Sequence, residues 1–273
     1  MTHWIARRRP NDPVRAKQVS STARIVFGLV LLAGLVGMTY AQVRLDVPYV
    51  PTPQDVVDRM LDMAKLTRDD FHIDLGSGDG RIVIAAARRG ARSRGVDLNP
   101  TRIAEANENA KKAGVTDRVT FVLGNLFEQK IGEANVLTMY LLQSVNLQLR
   151  PRILAELRPG SRVVSHAFSM NEWEPDEHVN MNGRNIYLWI VPDKADGDWQ
   201  AESGGRKFTL TLKQSFQKLT GSARIDGRSS PVDGRLIGNA IELATDLGSG
   251  QTVLRGQVKG DAIEGDNLRA SRS

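Results

Sequence analysis

The chain has 273 residues, 41% of them hydrophobic and 25% charged, which excludes a wholly disordered or fibrous protein and leaves room for one large domain or two modest ones. There is no cysteine, and the four histidines are scattered (His3, His72, His166, His178), which excludes a disulfide scaffold, a thiol nucleophile and a Cys-ligated zinc site and argues against a multi-His metal centre. Of the formal charge of +6, residues 1–24 carry +5 (Arg7, Arg8, Arg9, Arg15, Lys17 and Arg24 against Asp12), so the other 249 residues are nearly neutral and no nucleic-acid partner is expected.

Behind this basic tail, Ile25 to Val43 is a run of 19 uncharged residues. As a helix it would span ~28 Å, about one hydrocarbon core. One reading is a single-pass membrane anchor at residues 25–43. Another is a secretory signal cleaved near Ala41, where Thr39-Tyr40-Ala41 resembles a small-x-small site. A buried soluble helix fits least, because the run is apolar all round and holds Gly28, Gly34 and Gly37. The 24-residue basic stretch is long for a signal, so the expectation is a membrane protein anchored by one N-terminal helix. The positive-inside rule then keeps the tail in the cytoplasm and puts the rest on the far side.

Residues 44–53 are proline-rich and extended. Thr52 reads as a helix N-cap with Pro53 at the first helical position, and Val56, Met60, Leu61 and Met63 recur at helical spacing over 53–65. Strands and helices then alternate. Strands are expected at 71–75, 91–98, 119–123, 134–140, 161–166 and 185–191, and helices at 81–89, 100–113 and 147–157. This alternation predicts an α/β domain over 44–195, a mostly parallel sheet with helices on both faces. Composition changes at 192–205, a polar stretch with Asp and Gly. Beyond it Phe208, Leu210 and Leu212 alternate with polar residues and glycines punctuate short segments, so 200–270 is expected to be a small antiparallel β domain with a frayed end at 270–273.

The chemistry sits in Asp74-Leu75-Gly76-Ser77-Gly78-Asp79-Gly80-Arg81, between the first strand and its helix. The glycines let the backbone turn sharply and approach a ligand, and the helix start adds free N–H donors. Asp97 ends the next strand, where an acid can accept both hydroxyls of a ribose. The spacing is G-x-G-x-G rather than G-x-G-x-x-G, and Asp74 and Asp79 would repel a pyrophosphate but suit a cationic ligand such as S-adenosylmethionine.

This segment resembles motif I of the class I S-adenosylmethionine-dependent methyltransferases. More narrowly, residues ~48–192 resemble the lysine methyltransferases of the ATP synthase c subunit and the ADP/ATP translocase and their bacterial relatives. The matching stretches are Pro48-to-Pro53, Asp74-to-Val83, Leu98-Asn99-Pro100 and Arg162-to-Ser165, followed by Phe168, Trp173 and Pro175. The resemblance covers about half the chain and not 200–273.

It implies a Rossmann-like fold, S-adenosylmethionine as cofactor, and a protein lysine as acceptor, with a membrane protein as one possible partner. A small-molecule or lipid acceptor, and an envelope binding protein on a degenerate methyltransferase fold, are the competing expectations. The resemblance gives Asp74 to the cofactor's amino group, Gly76, Ser77, Gly78 and Gly80 to its methionine and ribose, Asp97 to the ribose hydroxyls, and Leu98 and Asn125 to adenine. Tyr140, His166, Phe168 and Trp173 would line the channel for the methyl acceptor. No metal is expected.

Overall fold

The structure, a computed structural model, describes residues 49–248 and 250–273. The basic tail and the 25–43 segment, with the anchor and signal readings placed on them, lie outside the described residues. Among the described residues no helix is long and apolar enough to cross a membrane.

Helix α1 (Gln54–Met63) buries Val56, Val57, Met60, Leu61 and Met63. Its N-cap is Pro53, not Thr52, and no side chain caps it. The Thr52 hydroxyl is drawn instead to His166 Nδ1, 3.2 Å away, which is why the cap reading fails. There follow β1 (Phe71–Leu75), α2 (Arg81–Arg88), β2 (Arg92–Asp97), α3 (Pro100–Ala113), β3 (Val119–Leu123), β4 (Val136–Met139), α4 (Gln143–Glu156), β5 (Arg162–His166), β6 (Glu177–Met181) and β7 (Arg184–Ile190). Helix α4 starts four residues before the expected position, and β6 was not anticipated.

These strands form one seven-stranded sheet in the order β3-β2-β1-β4-β5-β7-β6. The pairs from β3 to β5 are parallel, and β7 is antiparallel to both β5 and β6. Alternate side chains point to opposite faces. Ile73, Leu75, Leu137 and Met139 meet Val145, Leu149 and Ile153 of α4 on one face. On the other, Val136 and Val164 meet α1 and the Ile82, Ala85 and Ala86 side of α2. His72, Asp74 and Thr138 share this second face by strand alternation. The strand order reverses between β1 and β4, and in open α/β sheets ligands bind at the carboxyl ends of the strands at such a point.

Beyond a short connection lie β8 (Gly197–Ser203), β9 (Arg206–Ser215), β10 (Lys218–Ile225), β11 (Arg228–Ile237), β12 (Ala240–Asp246), β13 (Gln251–Lys259), β14 (Ala262–Glu264) and β15 (Arg269–Arg272). They form a closed antiparallel barrel. Trp199, Phe208, Leu210, Leu236, Leu243 and Leu254 are among the residues that fill its core.

Two expectations are corrected here. The chain end is not frayed: β15 pairs with β8 from Arg269↔Glu202 to Arg272↔Trp199 and closes the barrel. The β domain starts before residue 200, because β8 begins at Gly197 and seats Trp199, fully buried, whose indole N–H donates to the Ala195 carbonyl.

The barrel packs against the 173–176 segment that leads into β6. The Gln217 amide donates to the Glu174 carbonyl at 2.7 Å, Arg235 pairs with Asp176 at 3.0 Å, and Phe216 stacks on Trp173.

Candidate functional site

The loop after β1 is tied to β2 by two backbone bonds, from the Gly76 and Ser77 amides to the Val96 carbonyl, both 2.9 Å. Gly76, Gly78 and Gly80 all have positive φ. Gly78 is the position where a side chain is least tolerable: its φ is +51° and a Cβ would sit 2.5 Å from the Tyr49 ring. Gly95 of β2 was not singled out from sequence, yet a Cβ there would lie 2.7 Å from the Ser77 side chain, so its absence lets the loop rest on the strand.

Asp97 sits at the end of β2 with both oxygens engaged. One accepts from the Gly78 amide and the other from the Asn99 amide, each at 2.8 Å. These bonds fix the carboxylate beside the loop and leave lone pairs for further donors. Asp74 is fully buried on β1, and its Oδ1 accepts from the Thr138 hydroxyl at 2.6 Å. Burial pushes Asp74 up to about 7 against the pull of Thr138, and the carboxylates of Asp97 and Asp79 add to the rise.

Asp79 behaves differently. Burial would raise it, but Arg81 holds it below the usual carboxylate range through a two-pronged ion pair with contacts of 2.6 and 2.9 Å. The acidic character read from the loop therefore rests on Asp74 and Asp97, since the charge of Asp79 is matched by Arg81.

Between these groups lies a cleft of about 260 Å³, bounded by Asp74, Gly76, Ser77, Gly78, Asp97 and Tyr140. A smaller pocket continues from Gly76 and Asp97 to Leu98, Asn125, Phe127 and Leu141. The strap Tyr49–Pro53 covers the cleft. Arg81 donates to the Thr52 carbonyl at 2.9 Å, and the Arg102 guanidinium lies 3.9 Å over the Tyr49 ring. Burial, with Asp79 beside it, pushes the Tyr49 phenol up.

A third cavity, of about 300 Å³, shares Val50, Pro51 and Tyr140 with the cleft and reaches His166, Arg184 and Asn185. His166 lies 4.0 Å from Tyr140, ring to ring, and Phe168 stacks on Tyr140 at 6.5 Å. Burial, with Arg184 nearby, pulls His166 down to about 4, so the imidazole is neutral at physiological pH.

Most of the residues singled out from sequence converge here. Asp74, Gly76, Ser77, Gly78, Asp97 and Tyr140 meet in the cleft, Leu98 and Asn125 in its extension, and His166 in the adjoining cavity. Asn125 also caps a short turn, its Oδ1 accepting from the Phe127 amide at 3.0 Å. Two residues do not fit their expected place. Gly80 starts α2 at φ +81°, and a Cβ there would meet Phe121 and Ala106, so it serves helix packing rather than the cleft wall. Trp173 is fully buried against Trp189 and Phe216 at the barrel junction and lines neither the cleft nor the adjoining cavities. Sequence reasoning gave no role to Tyr49, Arg102, Thr138 or His72. Only Tyr49 carried a signal, through its place in the Pro48-to-Pro53 block.

An open sheet reversing at β1 and β4, a glycine loop and an acid at the end of β2 define the class I S-adenosylmethionine-dependent methyltransferase architecture. The ANTKMT methyltransferase domain model matches residues 74–177. A protein-lysine N-methyltransferase of Saccharolobus islandicus is 48% identical over 151 residues, 53% of this chain and 94% of that protein. The adenine nucleotide translocase lysine N-methyltransferase of Mus musculus is 35% identical over 57% of this chain and 68% of its own. The crystal structure of an RNA methyltransferase from Salinibacter ruber, in complex with S-adenosyl-L-homocysteine, is 52% identical with a TM-score of 0.53, covering 54% of this chain and 96% of that one. The chain belongs to the ANTKMT methyltransferase family, and it is an S-adenosylmethionine-dependent enzyme. These relatives cover little more than half of it.

The residues fit that cofactor. The glycine cradle is closed to a side chain at Gly78, and Asp74 is an acid without a cationic partner among the described residues. The Ser77 hydroxyl is buried beside the cleft with no hydrogen-bond partner among the described residues. Each is a place where a bound polar, cationic molecule would satisfy what the protein leaves open.

Proposed function

We propose that the protein methylates lysine side chains of a protein substrate, with the cofactor in the cleft at the ends of β1, β2 and β4. The observation that carries this is the cleft itself. Its acids match a cationic nucleoside, the Tyr140 and Phe168 rings line it, and the adjoining cavity holds the neutral His166 imidazole together with Arg184. The 48% identity to a protein-lysine N-methyltransferase supports the choice of acceptor.

S-adenosylmethionine, when bound, supplies an electrophilic methyl group on a sulfonium. Everything else falls to the protein. In this reading Asp74 faces the ammonium of the methionine moiety, and Asp97 accepts the ribose hydroxyls from an orientation that the Gly78 and Asn99 amides already hold. Leu98 packs on the adenine, and the free lone pair of Asn125 Oδ1 accepts from its amino group. Ser77, Gly76 and Gly78 shape the wall between.

A lysine with a reference pKa of ~10.4 must lose a proton before it can attack. A desolvated channel favours the neutral amine. The neutral His166 adds no positive charge to repel an incoming ammonium, and the Tyr140 and Phe168 rings exclude water. In-line positioning then does the rest.

The segment at 25–43 is proposed to anchor the protein in a membrane.

The name of the Salinibacter relative makes RNA the second acceptor to test. Full-length protein is incubated with radiolabelled S-adenosylmethionine and, separately, membrane proteins, soluble proteins, RNA and lipid, with Asp97→Ala as the blank. The expected result is an Asp97-dependent labelled polypeptide whose hydrolysate yields methyl-lysine. Label confined to RNA, to lipid or to small molecules would overturn the lysine assignment.

A further inference from the structure

A chain of buried polar side chains crosses the sheet beneath the cleft. His72 of β1 is fully buried, and so is Thr138 of β4, while Ser93 of β2 is nearly so. His72 pairs with Ser93 across β1 and β2, and Asp74 pairs with Thr138 across β1 and β4. His72 and Asp74 are two residues apart on one strand and so share a face. This register brings the four side chains into one row. Ser93 Oγ lies 2.5 Å from His72 Nδ1, His72 Nε2 lies 2.8 Å from Thr138 Oγ1, and Thr138 Oγ1 lies 2.6 Å from Asp74 Oδ1.

The direction of the row follows from what each group can donate. Once the pH rises past its raised value Asp74 is ionised and only accepts, so the one hydroxyl proton of Thr138 is then committed to Asp74. Thr138 Oγ1 must then accept from His72, which places the imidazole proton on Nε2. The lone pair left on Nδ1 takes the Ser93 hydroxyl proton. Every donor in the row thus points toward Asp74, and aligned hydrogen bonds strengthen one another in a low-dielectric interior. His72 is fitted to this task because it stays neutral: burial pulls it down to about 3, despite the attraction of Asp70. Asp70 is itself paired with Arg162 at 2.8 Å. Around Asp74 the other charged groups are Asp97 and Asp79, the latter matched by Arg81. Ser93, itself buried, makes no further side-chain hydrogen bond among the described residues.

We propose that His72 is a positioning residue for the cofactor: with Ser93 and Thr138 it forms a buried relay that holds the Asp74 carboxylate ionised and aimed into the cleft, toward the ammonium group of S-adenosylmethionine. The inference rests on the cofactor reading given above. A purely architectural network would fill the same space, but it would be indifferent to which part of the cofactor is present.

The test uses the full chain and two ligands, S-adenosylhomocysteine and 5′-methylthioadenosine, which keeps the nucleoside but lacks the amino-acid ammonium. Affinities are measured calorimetrically from pH 5.5 to 8.5, with thermal unfolding as the check on folding. Thr138→Val removes the donor to Asp74 at constant shape and is expected to weaken S-adenosylhomocysteine about 10- to 100-fold, as loss of a hydrogen bond to a charged group does. The pH above which S-adenosylhomocysteine binds tightly moves upward in that variant. Thr138→Ser restores binding to within about threefold, because the hydroxyl returns. Ser93→Ala, at the far end, costs about three- to tenfold and carries the test if Thr138→Val does not fold. Methylthioadenosine affinity stays within about twofold throughout, since it has no group for Asp74. Equal losses for both ligands, or no loss for either, would overturn the relay while leaving the cofactor site standing. A wild-type protein that binds neither ligand would withdraw the cofactor reading and the relay with it.

Discussion

The sheet domain and the barrel solve the same burial problem with opposite materials. The barrel core is apolar, filled by residues such as Trp199, Phe208, Leu210 and Leu254. The sheet domain buries His72, Asp74, Ser93, Thr138, Asn146, Ser165 and His166 as well as its apolar residues. Buried polar groups cost free energy unless they are bonded, and here most are. What the difference teaches is where the chemistry lies. One region accepts the cost of buried acids and imidazoles near a cleft at its strand ends, and the other is a closed barrel with a mostly apolar core, tied to the 173–176 segment ahead of β6 by Phe216, Gln217 and Arg235.

Four substitutions probe that contrast, in descending order of expected effect. Leu254→Ala, in the fully buried barrel core, should cost about 2–5 kcal/mol of stability by chemical denaturation. It should leave S-adenosylhomocysteine affinity in the folded protein unchanged; a large loss of affinity would break the division of labour. Asp97→Ala should do the reverse, weakening that ligand by about 100-fold or more with a small change in stability, as read by calorimetry.

Asp74→Asn sharpens the comparison through pH. A carboxyl raised to about 7 in the folded state keeps its proton between pH 4 and 7, where the unfolded chain has already lost it. Stability from this group therefore falls as pH rises through that window, and its full cost is present above pH 7. The ligand-free Asp74→Asn protein should melt higher than wild type at pH 8 and no higher at pH 4, while binding S-adenosylhomocysteine about tenfold or more weakly. The smallest effect belongs to Lys218→Ala, which removes an exposed ion pair to Glu174 at the junction and should cost less than about 0.5 kcal/mol.

The sheet domain was the more legible region. β1, β3 and α3 fall at the expected residues because short apolar runs and a Pro-started amphipathic helix carry their own periodicity. Strand β6 was hidden because Glu-His-Val-Asn-Met is an exposed edge segment with too little apolar alternation to show. The start of α4 was hidden because Asn146, a polar residue, is buried there by bonds to Ser165 and the Phe168 carbonyl. In the barrel, the alternation of Phe208, Leu210 and Leu212 was visible, whereas closure was not. The closing strand β15 is mostly polar, and only its backbone pairing with β8 and β14 makes it a strand.

The same division holds for the site. The glycine loop and Asp97 can be read from residue types and spacing. The strap residue Tyr49, the Arg102 contact and the His72 row cannot, since they arise from strand register and from the fold bringing distant segments together.

The central claim, that the cofactor is held at the ends of β1, β2 and β4 and nowhere in the barrel, is tested most directly by hydrogen exchange of the full chain with and without S-adenosylhomocysteine. The account predicts ligand-dependent protection in the 49–53 strap, the 76–80 loop and the 97–99 turn, and unchanged exchange across 197–272. Protection within the barrel, or an unprotected loop at saturating ligand, would contradict it.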